Sequence, residues 1–483
     1  MSRLDRFGRG LLIIVLVALG VRMTYLFWGK GGTCIVRDPE TGEEISSPTD
    51  CPGSPTGRAN DATYYTGAAN LLARGDGFRD PFRLEREAAD HPPLTVFVLA
   101  PVSWVGDHVV PKALLDDLTN GFLHRLTMVF IGTGVVAAVG LLARRVGGDR
   151  TGLIAAGIAA IYPGLWISDA LIFAETITNF VVVVTLLLTL RARDLPSTRR
   201  LVAVGAAIGV CGLARAELLL FVPLLGVLLL GAPERGRRAR STAALAAATI
   251  VVIAPWIAYN NSRFDRLTLL STNDGLALAA SNCLPVYGGS AIGLTRYDAA
   301  PVDASPEEKA RDEFCIEDPE PAGDQSAVSA AYRARATRVM GDHLDRLPAV
   351  VAARIGRTWN VFRPLDMVVY NEGEDREPWA TRLAIWTFYP VALGAFAGGW
   401  MLRRRDRFAL ATLVAPMVTV TIAAGATYGQ ARFRSAAEAS LVVLAAVALD
   451  QLRTRRASPS PGSQGVDPTD PTDLTDLTGS AVA

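Results

Sequence analysis

Ten apolar runs, separated by arginine clusters and by two long polar insertions, constrain this 483-residue chain more than any other feature. Runs of this length partition into hydrocarbon, where backbone N–H and C=O groups must be satisfied within the protein, so the chain reads as an all-α polytopic membrane protein. The runs cover residues 10–28, 126–143, 151–168, 171–190, 201–215, 217–231, 241–260, 379–402, 408–427 and 436–450 and predict about ten crossings. Run 201–215 is short for a straight span of ~20 residues. Either it tilts and turns into its neighbour at the membrane face, or 201–231 divides elsewhere.

The arginines orient the bundle. With ten crossings and the amino terminus inside, RRVGGDR (144–150), RARDLPSTRR (191–200), ERGRRAR (234–240), RRRDR (403–407) and RTRR (453–456) all fall on the side of the basic head SRLDRFGR, as the positive-inside rule requires. The first run lacks a clear small-x-small cleavage site and reads as an uncleaved anchor. Arg22 lies within it and must snorkel, meet a carboxylate or bind something. The expected organisation is a cytoplasmic head with the first transmembrane helix (1–28), a first outer loop (29–125) and transmembrane helices 2–7 (126–260). A second outer loop (261–378), transmembrane helices 8–10 (379–452) and a Pro-, Ser-, Thr- and Asp-rich disordered cytoplasmic tail (453–483) follow. Both termini are then cytoplasmic in a multi-pass plasma-membrane protein, and both long loops are extracytoplasmic. Within the loops, 96–106 predicts an interfacial or re-entrant helix, 111–123 a short surface helix, and 327–362 helix along the membrane face.

Net charge is +1, which supplies no basic field for nucleic acid. The text holds neither a P-loop nor GxGxxG, so ATP-driven transport and dinucleotide chemistry have no support. Cys34 and Cys51 fall in the first outer loop, Cys283 and Cys315 in the second and Cys211 in an apolar run. One disulfide in each loop suits an oxidising exterior, although four cysteines permit three pairings.

Chemistry concentrates in Gly57–Leu94, which is too polar for hydrocarbon yet tied to the membrane face by the runs around it. Asp61, Tyr64, Tyr65, Ala68, Leu71 and Leu72 have helical spacing, with the aspartate in the first turn. Asp61 is therefore a helix cap, a general base, or both, and Tyr64 is a candidate substrate contact. Asp169 and Glu175 flank the start of a later span, where a carboxylate needs a partner or a purpose. Glu175 is a second catalytic candidate, with pairing to Arg215 as its structural alternative, and Asp169 is a candidate binding residue. Arg215, Arg432 and Arg434 lie against the usual charge bias, and their guanidinium forks suit an anionic headgroup such as phosphate. Glu217 and Glu438 are placed to neutralise part of that charge. His91 in DHPPL is a candidate substrate contact. Asp61, His91 and Glu175 are also the candidate set for a divalent ion, although no HExxH is present.

The order of NDATYYTGAANLLARGDGF, HPPL, NGFLHRL, YPGLWISDALIFAET, GLARAE, PWIAYNNSRF and ARFRSAAEASL resembles the family 39 glycosyltransferases of the GT-C membrane fold, which include protein O-mannosyltransferase-like and aminoarabinose transferase-like enzymes. The likeness covers about residues 10–450. It implies a sugar taken from a polyprenyl phosphate donor on the extracytoplasmic face and passed, with inversion, to an acceptor hydroxyl on a glycan, lipid or protein. Asp61 would match the family's acidic residue in the first loop, Glu175 the second acidic position, and Arg215, Arg432 and Arg434 the donor-phosphate contacts. His91 matches the residue before the paired prolines. Many relatives carry an adjacent Asp-Glu pair where this chain has Asn60 and Asp61, so one carboxylate must suffice, and the insertion at 31–56 is unusual. The alternative is a non-enzymatic flippase or envelope assembly factor for lipid-linked glycans.

Overall fold

The computed structural model describes residues 6–29, 36–37, 44–45, 61–110, 120–194, 197–229, 235–297, 314–316, 320–372 and 376–457. The Cys34 and Cys51 pairing, most of the 31–56 insertion and the tail beyond 457 lie outside them. Helices run through the described part of each of the ten apolar runs, in order: α1 (Arg6–Thr24), with α2 (Asp61–Arg74) and α3 (Leu94–Val109) in the insertion after it; α4 (Asn120–Gly147); α5 (Asp149–Ile161); α6 (Pro163–Trp166); α7 (Ala174–Asp194); α8 (Thr198–Ala214); α9 (Phe221–Leu229) and α10 (Arg235–Asn261). The second insertion carries α11 (Asn273–Ser281), α12 (Gln325–Asp342), α13 (Leu347–Thr358) and α14 (Asp366–Glu372). It is followed by α15 (Pro378–Arg405), α16 (Arg407–Ala426) and α17 (Ser435–Ala457). Sheet among the described residues is limited to two short antiparallel ladders, Val36–Arg37 with Glu44–Ile45 and Arg79–Asp80 with Arg83–Glu87.

Seven of these helices are long and apolar enough to cross a membrane, or eight when the bent pair α5–α6 counts as one span. The difference from ten lies in the 201–231 region: α8 has 17 residues, and Ala216–Leu229 is also too short for a straight crossing. Arg215 breaks them in extended conformation (φ −152°, ψ 124°), so the division falls where the sequence puts it. The 63° bend between α5 and α6 has a local cause. Tyr162 is extended and Pro163 starts the next helix, where its missing N–H breaks no helical hydrogen bond. Asn120–Leu123, expected in a surface helix, instead form the first turn of α4.

α17 is the most enclosed span, with 78% of its apolar window buried, against 22% for α1. Its buried residues mix alanines, among them Ala436, Ala437, Ala439, Ala445 and Ala446, with Leu441, Val442, Val443 and Leu444. In lipid the hydrophobic effect does not drive helices together, so close backbone approach through small side chains supplies the packing. Leu393 and Phe396 on α15 face outward as lipid-exposed side chains.

The arginine-rich links meet at one end of the bundle through Arg145–Asp194, Arg193–Asp406 (2.6 Å) and Arg150–Asp450 (3.2 Å). The polar insertions stack at the other end. There Arg263 ties the second insertion to the first by donating to the Phe78 carbonyl (2.9 Å), Glu87 (2.7 Å) and the Ala88 carbonyl (3.0 Å). Asp324 caps α12 and accepts from the Asp265 N–H (2.7 Å). Cys283 and Cys315 form a disulfide, one of the two bridges expected, and Cys211 is a buried free thiol.

The α15–α17 contact is testable. A Cβ on Gly398 would lie 1.8 Å from the Leu444 carbonyl oxygen, whereas one on Gly399 would first meet Leu410 at 3.5 Å. Gly398→Val is expected to lower stability by about 1–3 kcal/mol and Gly399→Ala to leave it nearly unchanged, read as unfolding midpoints in detergent.

Candidate active site

Four segments distant in sequence converge at the polar end of the spans. Helix α2 presents Asp61, and the return to α3 presents His91. The start of α7 presents Glu175, and the turn before α17 presents Arg432. Arg432 Nη1 donates to Asp61 Oδ2 at 2.9 Å, while its Nε lies 3.9 Å from Glu175 Oε1. One guanidinium therefore stands between the two carboxylates. Arg215, at the α8 break, adds a second cation 3.7 Å from Glu175 and is itself held by Glu217 at 2.6 Å. Phe433 packs under both guanidiniums, 4.8 Å from Arg215 and 5.8 Å from Arg432. The cluster is partly open: the Asp61 side chain is 28% exposed, that of Glu175 only 3%.

The other face of Asp61 is set by His91, whose Nε2 lies 3.5 Å from both Asp61 and Asp90. Tyr65 stacks on the imidazole at 5.1 Å, and Tyr64 meets it edge-on at 5.0 Å. Burial pushes the Asp61 carboxyl up, but Arg432 and His91 outweigh it and hold the group well below the usual carboxylate range. Burial works against the charged imidazolium too, yet Asp90 and Asp61 raise His91 above its ordinary value. Asp61 is thus a carboxylate whose basicity is restrained by the cations that position it.

The structure separates the remaining candidates. Asp169 does not reach the cluster: Arg22 Nε donates to its Oδ2 at 2.6 Å and Thr176 to its Oδ1 at 2.8 Å, and both charged side chains are enclosed. Gly132 on α4 makes the room, since a Cβ there would lie 2.1 Å from the carboxylate. Arg434 turns away from Asp61, donating to Glu438 (2.6 Å) and the Thr358 carbonyl (2.9 Å) and stacking over Phe388 at 3.8 Å. Four residues near the site carry no sequence signal: Asp90, and Asn360, Asn371 and Thr381 behind Arg432, which stand in turn-rich or ordinary helical text.

The divalent-ion set does not assemble. No group of three His, Cys, Asp or Glu side chains able to hold a metal occurs among the described residues. The positive charge between Asp61 and Glu175 is Arg432.

Apolar spans beneath a polar layer formed by two long insertions give this multi-pass membrane protein the GT-C fold. Residues 113–259 match the family model described as dolichyl-phosphate-mannose-protein mannosyltransferase, which bears out the resemblance read from the sequence. The Archaeoglobus fulgidus oligosaccharyltransferase in its apo form is similar at a TM-score of 0.53 and 15% identity, over 94% of this chain and 51% of that one. The same archaeal protein, AglB, in complex with an inhibitory peptide and a dolichol-phosphate, gives 0.51 and 16% over 94% and 52%. ArnT from Cupriavidus metallidurans bound to undecaprenyl phosphate aligns over 91% of this chain and 78% of that one, at 14% identity and a TM-score of 0.37. The chain spans about half the length of the archaeal enzyme, and at these identities the likeness is one of fold. No curated protein matches the sequence.

Two outcomes are expected. Arg22→Met leaves Asp169 buried without its cation and should cost about 3–5 kcal/mol, most of it recovered by Arg22→Met with Asp169→Leu; detergent unfolding of the three proteins checks this. His91, with a raised folded pKa, contributes stability that is fully present below its unfolded value of 6.5 and is lost as pH rises through the folded pKa. The gap in melting temperature between wild type and His91→Gln should therefore be widest at acid pH and close as pH rises.

Proposed function

We propose that the protein is a membrane glycosyltransferase that moves a sugar from a polyprenyl phosphate donor to an acceptor hydroxyl, with inversion, at the extracytoplasmic face. Both termini are cytoplasmic in this reading, as the arginine distribution implies. The observation that carries it is the sharing of Arg432 between Asp61 (2.9 Å) and Glu175 (3.9 Å) at the polar end of apolar spans. A lipid-borne donor needs no nucleotide fold, because its phosphate is already the leaving group and is delivered from the bilayer.

The residues have distinct roles in this proposal. Arg432 and Arg215 receive the donor phosphate and stabilise the charge that grows on it as the glycosidic C–O bond breaks. A phosphate on Arg432 draws the guanidinium from Asp61 and relieves the restraint on its basicity. Asp61 then takes the acceptor hydroxyl proton as the acceptor oxygen attacks the anomeric carbon from the side opposite the phosphate. Glu175 holds Arg215 and Arg432 in register from below. His91, placed between Asp61 and Asp90, keeps the Asp61 carboxylate turned toward the acceptor. The archaeal relative solved with a dolichol-phosphate supports a lipid-phosphate ligand.

Purified protein in lipid, given labelled polyprenyl phosphate sugars and a cell-envelope acceptor fraction, should form product that falls at least about 100-fold in Asp61→Asn, the usual worth of a positioned base. Equal product from both proteins would remove Asp61 as the base. Sugar lipid moved between leaflets without any product would favour a flippase instead.

A further inference from the structure

Arg432 also lines a separate space to which Asp61 and Glu175 do not contribute, bounded by the bend at Pro163–Ser168, by α14, α15 and the turn before α17. Its lining gathers buried polar groups that lack partners. Asn360, Asn371, Thr381 and Ser435 are each at least nine-tenths buried, and each has a side-chain polar atom with no hydrogen-bond partner among the described residues. A buried amide or hydroxyl left unpaired costs about 1–3 kcal/mol. Four around one cavity point to something polar that occupies it. The cavity is about 40 Å³, room for roughly three waters or for the hydroxyl-bearing edge of a sugar ring that replaces them.

The charges on the lining narrow the occupant. Arg376, Arg432 and Arg434 face it against one described carboxylate, Glu438. Glu438 is already committed, accepting from Arg434 Nε at 2.6 Å and from the Tyr162 hydroxyl at 2.9 Å. No described carboxylate on the lining remains to pair with an ammonium group, and a charge buried without a partner is costly. The unpaired groups are amides and hydroxyls that both donate and accept, which fits ring hydroxyls better than a bare anion, an acceptor only. Arg432 joins this cavity to the carboxylates, so a sugar seated here has its phosphate-bearing end beside the cluster.

We infer that the cavity lined by Asn360, Asn371, Thr381 and Ser435 seats the hydroxyl edge of the donor's sugar and selects an uncharged sugar over an amino sugar. This deepens the transferase reading and rests on it. The test is affinity of the full-length protein in detergent for one polyprenyl phosphate, bare or carrying a neutral sugar, an amino sugar or a uronic acid. The neutral sugar should bind about tenfold more tightly than the bare lipid, the worth of about one net hydrogen bond, and the amino sugar should show no gain. Asn371→Leu and Thr381→Val, near-isosteric and verified as folded by elution and circular dichroism, should each reduce that gain without changing affinity for the bare lipid. A gain that persists in both variants, or an amino sugar or uronic acid that matches the neutral one, overturns the inference. Bare lipid bound with no sugar gain means the cavity holds only water, and the transferase reading survives. No binding of any polyprenyl phosphate sinks both.

Discussion

Arg432 is the interaction on which the rest of the arrangement depends. A guanidinium has five N–H donors in a fixed plane and cannot shed its charge, so it can serve a carboxylate from a surface helix and another from a transmembrane helix at once. Asp61 and Glu175 are 114 positions apart in the chain, and without a cation between them two carboxylates near a low-dielectric region would repel. Shared in this way, the arginine fixes α2 against the bundle and sets the basicity of Asp61. It also forms the wall between the carboxylate cluster and the cavity behind it.

The scaffold under this cluster is rigid for two reasons. Small side chains on α17 and Gly398 on α15 let the helix backbones meet closely, so α17 carries Arg432 at its start from the best-packed span of the molecule. Arg22 and Asp169 form a buried pair, and Thr176 closes the third corner from within α7, one residue after Glu175. A buried ion pair adds little net stability but is expensive to break from one side. It therefore fixes the register of α1 and the α6 turn against α7, the helix that presents Glu175.

Much of the fold was legible because hydrocarbon imposes a simple rule on sequence: apolar runs must be helices, and their ends are marked by charge. The break at Arg215 and the helix at 94–109 follow from it, whereas the helices within 327–362 follow from their helical spacing. The count of crossings was less legible, since length alone does not say whether α8 and the helix after it cross, tilt or turn back. In the site, Asp61, Glu175, Arg215 and Arg432 could be singled out because charge near apolar runs is costly and therefore conspicuous. Asp169 and Arg434 were conspicuous for the same reason, yet they are spent on Arg22 and Glu438. Cost marks a charged residue but does not name its partner.

What the sequence determined by itself is the all-helical membrane architecture and a short roster of charged residues, because both follow from local transfer energies. The tertiary structure decided which charges meet. Pairing depends on the 63° bend at Tyr162, the break at Arg215 and the glycines that let helices approach, and these set distances between residues hundreds of positions apart. The cavity behind Arg432 belongs wholly to that second kind. Asparagine and threonine in a polar turn or a helix end carry no mark in the text, and they become informative only when packing buries them without partners.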